Sequence, residues 1–243
     1  MLLSADTTGY PDQLLCHNVY VLTRPEAEHI AVKPRLRGVL HQYSFFISLP
    51  IGVWLIAGAG TFRARLAAAI YACALSGLFA SSTLYHRIPW SPTGKRWMRR
   101  VDHSMIFFLI AGTYTPFAML VANGMRSIAV LLAVWGAALT AALVKLFWID
   151  SSRWITVAIA FAMGWLIVGM TPGLALQPGP VATALLVAGG ILYSIGAIVY
   201  GLRRPNPFPH VFGYHEVFHT CVIVAAAAHY ASIAFFVIPN ANG

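Results

Sequence analysis

The run His215-Glu216-Val217-Phe218-His219 places two histidines four residues apart. On a helix this spacing puts both imidazoles on one face, with Cβ atoms about 6 Å apart. That suits two ligands of one Zn²⁺, each bound at about 2.0–2.1 Å. A third ligand must come from elsewhere, and His86, at the end of an apolar run, is the best placed. Ser82 lies one turn before His86 on the same face. Three histidines leave a fourth position for water, which zinc acidifies toward a pKa of about 7. Asp102 could hold that water or orient a ligand imidazole. Plainer readings exist for each residue. His215 and His219 could bond loop carbonyls and water, and His86 could be an interfacial polar cap. Asp102 could cap a helix N-terminus and pair with Arg99 or Arg100. Ser82 could pack or bond the preceding turn, and His103 could face the membrane interface. His229, about 15 Å further along the same helix than His219, reads as structural.

The elements that must position these residues are membrane helices. Of 243 residues, 59% are hydrophobic and only 9% charged, against about 25% charged in a soluble domain. Long apolar runs without alternation argue against a β-barrel. Seven runs approach the ~20 residues needed to span a bilayer: about 40–60, 66–86, 103–122, 127–148, 154–172, 181–201 and 214–238. The expected architecture is an all-α seven-transmembrane helix bundle over residues 33–243, preceded by a flexible cytoplasmic tail, 1–32. No apolar core near Met1 suggests a cleaved leader. Three cysteines, two of them inside apolar runs, give no disulfide framework.

The net charge of +9 need not mean nucleic acid in such a chain, because basic loops set topology. Of sixteen Lys and Arg residues, only Arg63, Arg65 and Arg126 fall outside if the N-terminus is cytoplasmic and the C-terminus outside. That orientation is opposite to a G-protein-coupled receptor's, and the last span lacks the lysine a retinal protein needs. It also brings His86, Asp102 and His215 to one membrane face at similar depth, although lysine and arginine alone set the topology. Polar side chains within spans are functional candidates by default. Ala111-Gly112-Thr113-Tyr114-Thr115-Pro116 lies deeper. It is expected to serve close packing at Gly112 and a kink at Pro116, with the threonines satisfying freed carbonyls. Trp54, Trp90, Trp97, Trp148 and Trp154 read as interfacial anchors.

Ser81-Ser82-Thr83-Leu84-Tyr85-His86-Arg87 resembles the second-span motif of the hemolysin III family. Asp102-His103-Ser104 through Pro116 resembles its span-three signature, and His215–His219 with His229-Tyr230 its seventh-span motif. Lys33-Pro34-Arg35-Leu36-Arg37-Gly38 resembles the bacterial branch. The family is similar to the progestin and adiponectin receptors and, more distantly, to alkaline ceramidases. The resemblance implies a bacterial plasma-membrane protein of the membrane-hydrolase superfamily. One Zn²⁺ would be held by His86, His215 and His219, with Ser82 and Asp102 close by as catalytic residues. It also implies a metal-dependent amidohydrolase or esterase whose lipid substrate enters laterally from the membrane. The alternatives are a non-enzymatic receptor-like or membrane-homeostasis protein, an intramembrane metalloprotease with Glu216 as general base, and a pore.

Overall fold

The computed structural model describes residues 33–150, 152–170 and 177–241; the expected tail, 1–32, lies outside them. Seven helices follow one another: α1 Val39–Ala57, α2 Phe62–Arg87, α3 Pro92–Leu120, α4 Gly124–Phe147, α5 Arg153–Met170, α6 Pro180–Leu202 and α7 Tyr214–Ser232. The last helix continues through a π-helical turn, Ile233–Val237, into Ile238–Asn240. Six of the seven are long and apolar enough to cross a membrane among the described residues, and the described part of α5, Arg153–Trp165, is apolar as well. The chain is a multi-pass helical membrane protein. Among the described residues there is no strand, only an isolated bridge between Phe208 and Phe212.

Short connections make successive helices neighbours. α1 packs on α2, α2 on α3, α3 on α4 and α6 on α7, while α5 lies against α6, α3 and α4, and α1 also meets α7. Small residues set the close contacts. A Cβ added at Gly112 of α3 would lie 2.5 Å from the Ala74 Cβ of α2. The core runs through Tyr71, Leu75 and Leu78 of α2, Phe107 and Phe117 of α3, and Ile233 and Val237 after α7. Exposed Trp54, Trp90, Trp97, Trp148 and Trp154 lie near helix ends, where anchors belong. Trp135 and Trp165 are instead internal, donating to Thr115 Oγ1 at 3.1 Å and Ser194 Oγ at 3.0 Å.

Helix α3 departs from expectation. It begins at Pro92, not near residue 103, and is 29 residues long. Ser91 accepts from Gly94 N–H at 3.2 Å and Pro92 occupies the first turn, which is a strong helix start. The basic stretch Lys95–Arg100 is therefore helical, although too charged to belong to an apolar span. Asp102 is consequently not a helix cap. Arg99 pairs with Asp150 at 3.3 Å and Arg100 lies 4.7 Å over the Trp97 ring, so neither carries out the expected pairing with Asp102.

The expected service of the α3 threonines also needs correction. Thr113 and Thr115 donate to Leu109 O and Ala111 O, each at 2.8 Å. Pro116 frees the carbonyl of Gly112, which neither threonine reaches.

Candidate metal centre

The site is built where α2 ends and α7 begins. The segment before α1 ties those ends together. Arg35 N–H donates to His210 O at 3.0 Å and Leu36 N–H to Val211 O at 3.1 Å. Gly38 then turns the chain into α1 at φ 80°, a left-handed conformation that glycine adopts without strain. A Cβ there would meet the His86 Cβ at 2.6 Å, so glycine is needed for the close approach as well.

The N-terminus of α7 is held from two sides. Asn206 Oδ1 accepts from Tyr214 N–H at 3.1 Å, and Glu216 Oε2 accepts from Gly213 N–H at 2.9 Å. The other Glu216 oxygen accepts from Arg37 Nε at 2.5 Å, with the Glu216 side chain fully buried. Both carboxylate oxygens are thus committed to capping and ion pairing. Glu216 serves here as a capping and ion-paired residue, whereas the metalloprotease alternative assigns it the role of general base.

Held in this way, α7 presents His215 and His219 toward His86 of α2. One ligand nitrogen from each of the three lies within 4.8 Å of the others, and the group could hold a metal ion. His215 Nε2 and His86 Nε2 are 3.1 Å apart. Two nitrogens on one tetrahedral zinc would be separated by about 3.3 Å, so this edge needs almost no adjustment. His86 and His219 are buried. A set of three imidazoles, two of them buried, suits a borderline ion such as zinc better than hard, oxygen-seeking Mg²⁺ or Ca²⁺.

Ser82 and Asp102 lie beside the histidines. Ser82 is buried, and its side chain interacts with the Asp102 carboxylate. Asp102 keeps 15% exposure. Both line, with His215 and His219, one cavity of about 190 Å³ that runs inward between α3, α5, α6 and α7. Its walls are mostly apolar, including Ile106, Leu109, Ala160, Phe161, Leu186 and Phe218.

His103 also lines the cavity. Its Nδ1 meets Arg99 O at 2.7 Å and its Nε2 meets Tyr200 OH at 3.3 Å. Deeper along α7, His229 Nε2 donates to Leu186 O at 3.1 Å, a structural bond as expected, though its ring also lines the cavity. Thr113 and Tyr114 line it too, so their segment of α3 packs through Gly112 and shapes the pocket with the residues that follow. Tyr114 OH donates to Gly164 O across the bundle.

Sequence reasoning missed His41. It is 3% exposed, lines the cavity and stacks on His219 with ring centroids 3.8 Å apart and planes at 11°. A lone histidine near the start of an apolar run carries no spacing signal. Its position three residues after Gly38, beside the segment resembling the bacterial branch, was the available hint.

The fold and site together define a helical membrane protein with a buried three-histidine cluster opening on an apolar cavity. The sequence profile described as Haemolysin-III related matches residues 29–230, and the chain belongs to that family. It is similar to the Hemolysin-3 homolog of Bacillus subtilis (strain 168), 30% identical over 203 residues covering 82% of this chain and 92% of that protein. Hemolysin-3 of Bacillus cereus is 32% identical over 207 residues, covering 84% and 91% respectively. The human monocyte to macrophage differentiation factor is 28% identical over 183 residues, covering 70% and 69%. The bacterial relatives accord with a place in the plasma membrane.

Proposed function

We propose that this protein is a zinc-dependent hydrolase of an acyl-bearing membrane lipid, cleaving an amide or ester. The observation that carries the reading is the junction of a possible metal site with an apolar cavity, on whose shared wall Ser82 and Asp102 lie. His86, His215 and His219 hold the ion, which when bound polarises an acyl carbonyl and acidifies water. The acyl chain occupies the cavity between α3, α5, α6 and α7. Asp102 accepts a proton from the attacking water at a carboxylate oxygen and returns it to the leaving nitrogen or oxygen. The Ser82 hydroxyl holds that carboxylate in place or donates to the carbonyl oxygen as charge develops there. The substrate enters laterally from the bilayer.

The N-terminus lies in the cytoplasm and the C-terminus outside, with the site at the cytoplasmic face. Support comes from Arg87, Lys95, Arg96, Arg99, Arg100, Arg203 and Arg204, which flank the connections at the site's end of the bundle. The apolar cavity also favours a second reading, a receptor-like protein that binds an amphiphile without cleaving it. One set of measurements separates the two. Metal content and hydrolysis of ceramides and acyl esters are measured on purified wild type, His86→Ala, His215→Ala and Asp102→Ala. The hydrolase reading expects zinc near one per chain, lost in both histidine variants. It expects Asp102→Ala to keep zinc and lose about 10²–10⁴-fold in turnover. Zinc retained in both histidine variants, or an Asp102→Ala variant as active as wild type, refutes it. Tight lipid binding without turnover in the zinc-loaded wild type selects the receptor reading.

A further inference from the structure

His41 is the buried polar side chain of this site that has no assignment. Neither ring nitrogen has a hydrogen-bond partner of normal geometry. The backbone of His219 lies near the ring and can engage one nitrogen at most. The ring stacks on His219, and Phe79 lies tilted against it at 5.2 Å. Nothing in this packing requires nitrogen. A phenyl ring would fill the same place between His219 and Phe79, without the desolvation cost of unpaired imidazole nitrogens. A buried polar group left unsatisfied calls for an explanation in function. The imidazole is not part of the ligand set, which comprises His86, His215 and His219. It is adjacent to that set and faces the cavity.

We propose that His41 is a hydrogen-bonding residue for the polar head of the bound ligand. Its stacked ring sets the plane of His219, and one of its nitrogens pairs with the oxygen or N–H of an acyl amide or ester brought to the histidine cluster. A neutral imidazole has one donor and one acceptor nitrogen, and so matches an amide or ester head better than a simple hydrocarbon. This inference rests on the hydrolase reading for the class of ligand. It adds a contact from α1, a helix that contributes none of the three metal-ligand candidates, and so makes α1 part of the specificity apparatus.

The test compares wild type with His41→Phe in the full-length, detergent-solubilised, zinc-loaded protein. Three quantities are read: Tm, zinc affinity by chelator competition, and affinity for N-hydroxydodecanamide. This probe's hydroxamate head ligates zinc while its chain fills the cavity. The expected result is a Tm equal to or above wild type and zinc affinity within about threefold. Hydroxamate affinity is expected to fall by about tenfold or more. The conservative His41→Gln, which keeps a donor and an acceptor, should recover part of that loss. Unchanged hydroxamate affinity in His41→Phe overturns the proposal, as does a lowered Tm, which would make the nitrogens structural. Loss of zinc from folded His41→Phe overturns it as well, because His41 would then be a ligand. A wild type that takes up no zinc refutes the underlying metal reading instead, and the proposal falls with it.

Discussion

Arg37 and Glu216 join the segment before α1 to the first turn of α7, and cutting that link should be felt at the histidines. The perturbation is Arg37→Ala. The Glu216 carboxylate has 0% exposure and the Arg37 side chain 19%, with Nε 2.5 Å from Oε1. Removing one partner of a buried pair costs about 3–5 kcal/mol, since it strands a charge. The partial exposure of Arg37 lets water reach its side of the pair and points to the lower end, about 3 kcal/mol. For a chain of this size that corresponds to a Tm about 6–12 °C lower. The bond from Gly213 N–H to the other Glu216 oxygen survives the change but cannot replace the missing counter-charge. Because His215 is adjacent to Glu216, zinc affinity should fall together with Tm. The assay is a thermal melt of detergent-solubilised protein with and without zinc, alongside chelator competition. Arg37→Met with Glu216→Gln is the control. It removes both charges, keeps volume and an acceptor for Gly213, and should regain most of the lost Tm. An Arg37→Ala variant melting within about 2 °C of wild type would refute the claim that this pair holds the α7 terminus. So would a double variant no better than the single one.

Other expectations concern the packing and the cavity. Gly112→Val should lower Tm, because even a Cβ would lie 2.5 Å from that of Ala74 and overpacking costs about 1–3 kcal/mol; a neutral result in a thermal melt would contradict the observed α2–α3 contact. Ala160→Trp, on the cavity wall, should keep zinc but weaken binding of a twelve-carbon hydroxamate far more than that of acetohydroxamate, and equal weakening of the two would place the chain elsewhere. Tyr114→Phe removes the bond to Gly164 O and should cost about 0.5–1.5 kcal/mol in stability, measured by denaturation, with zinc content unchanged.

Much of the fold was legible because membrane spans are long and apolar, so helix number and order follow from composition. The three histidines were legible because His215 and His219 share a helix face and His86 ends a span at the matching membrane face. Asp102 was placed by the same argument from topology, and Ser82 by its spacing of one helical turn before His86. The start of α3 was not, because charge at Lys95–Arg100 ends an apolar span without ending a helix. Lysine and arginine are good helix formers, and the signal that mattered was Ser91-Pro92. Glu216 was read from the sequence only as the base of a metalloprotease, because nothing in the run His215–His219 points to its ion-pair partner Arg37, 179 positions away in sequence. His41 had only its place just after Gly38 as a hint, since its partner His219 is on the last helix and no local spacing links them.

Helix α3 carries a consequence for how depth in the bilayer is set. Its 29 residues extend about 43 Å, well beyond a hydrocarbon layer of about 30 Å. The surplus is the basic first turns, with Trp97 exposed among them, which belong among headgroups. Asp102 follows that overhang directly, so in a bilayer the overhang would set how far the carboxylate lies from bulk water. Hydrophobic mismatch then becomes a control on the site. A thicker bilayer would draw the first turns inward and dry the carboxylate, whereas a thinner one would leave it wetter. In vesicles of graded acyl-chain length, water supply to Asp102 would follow membrane thickness, with no change in any residue of the protein.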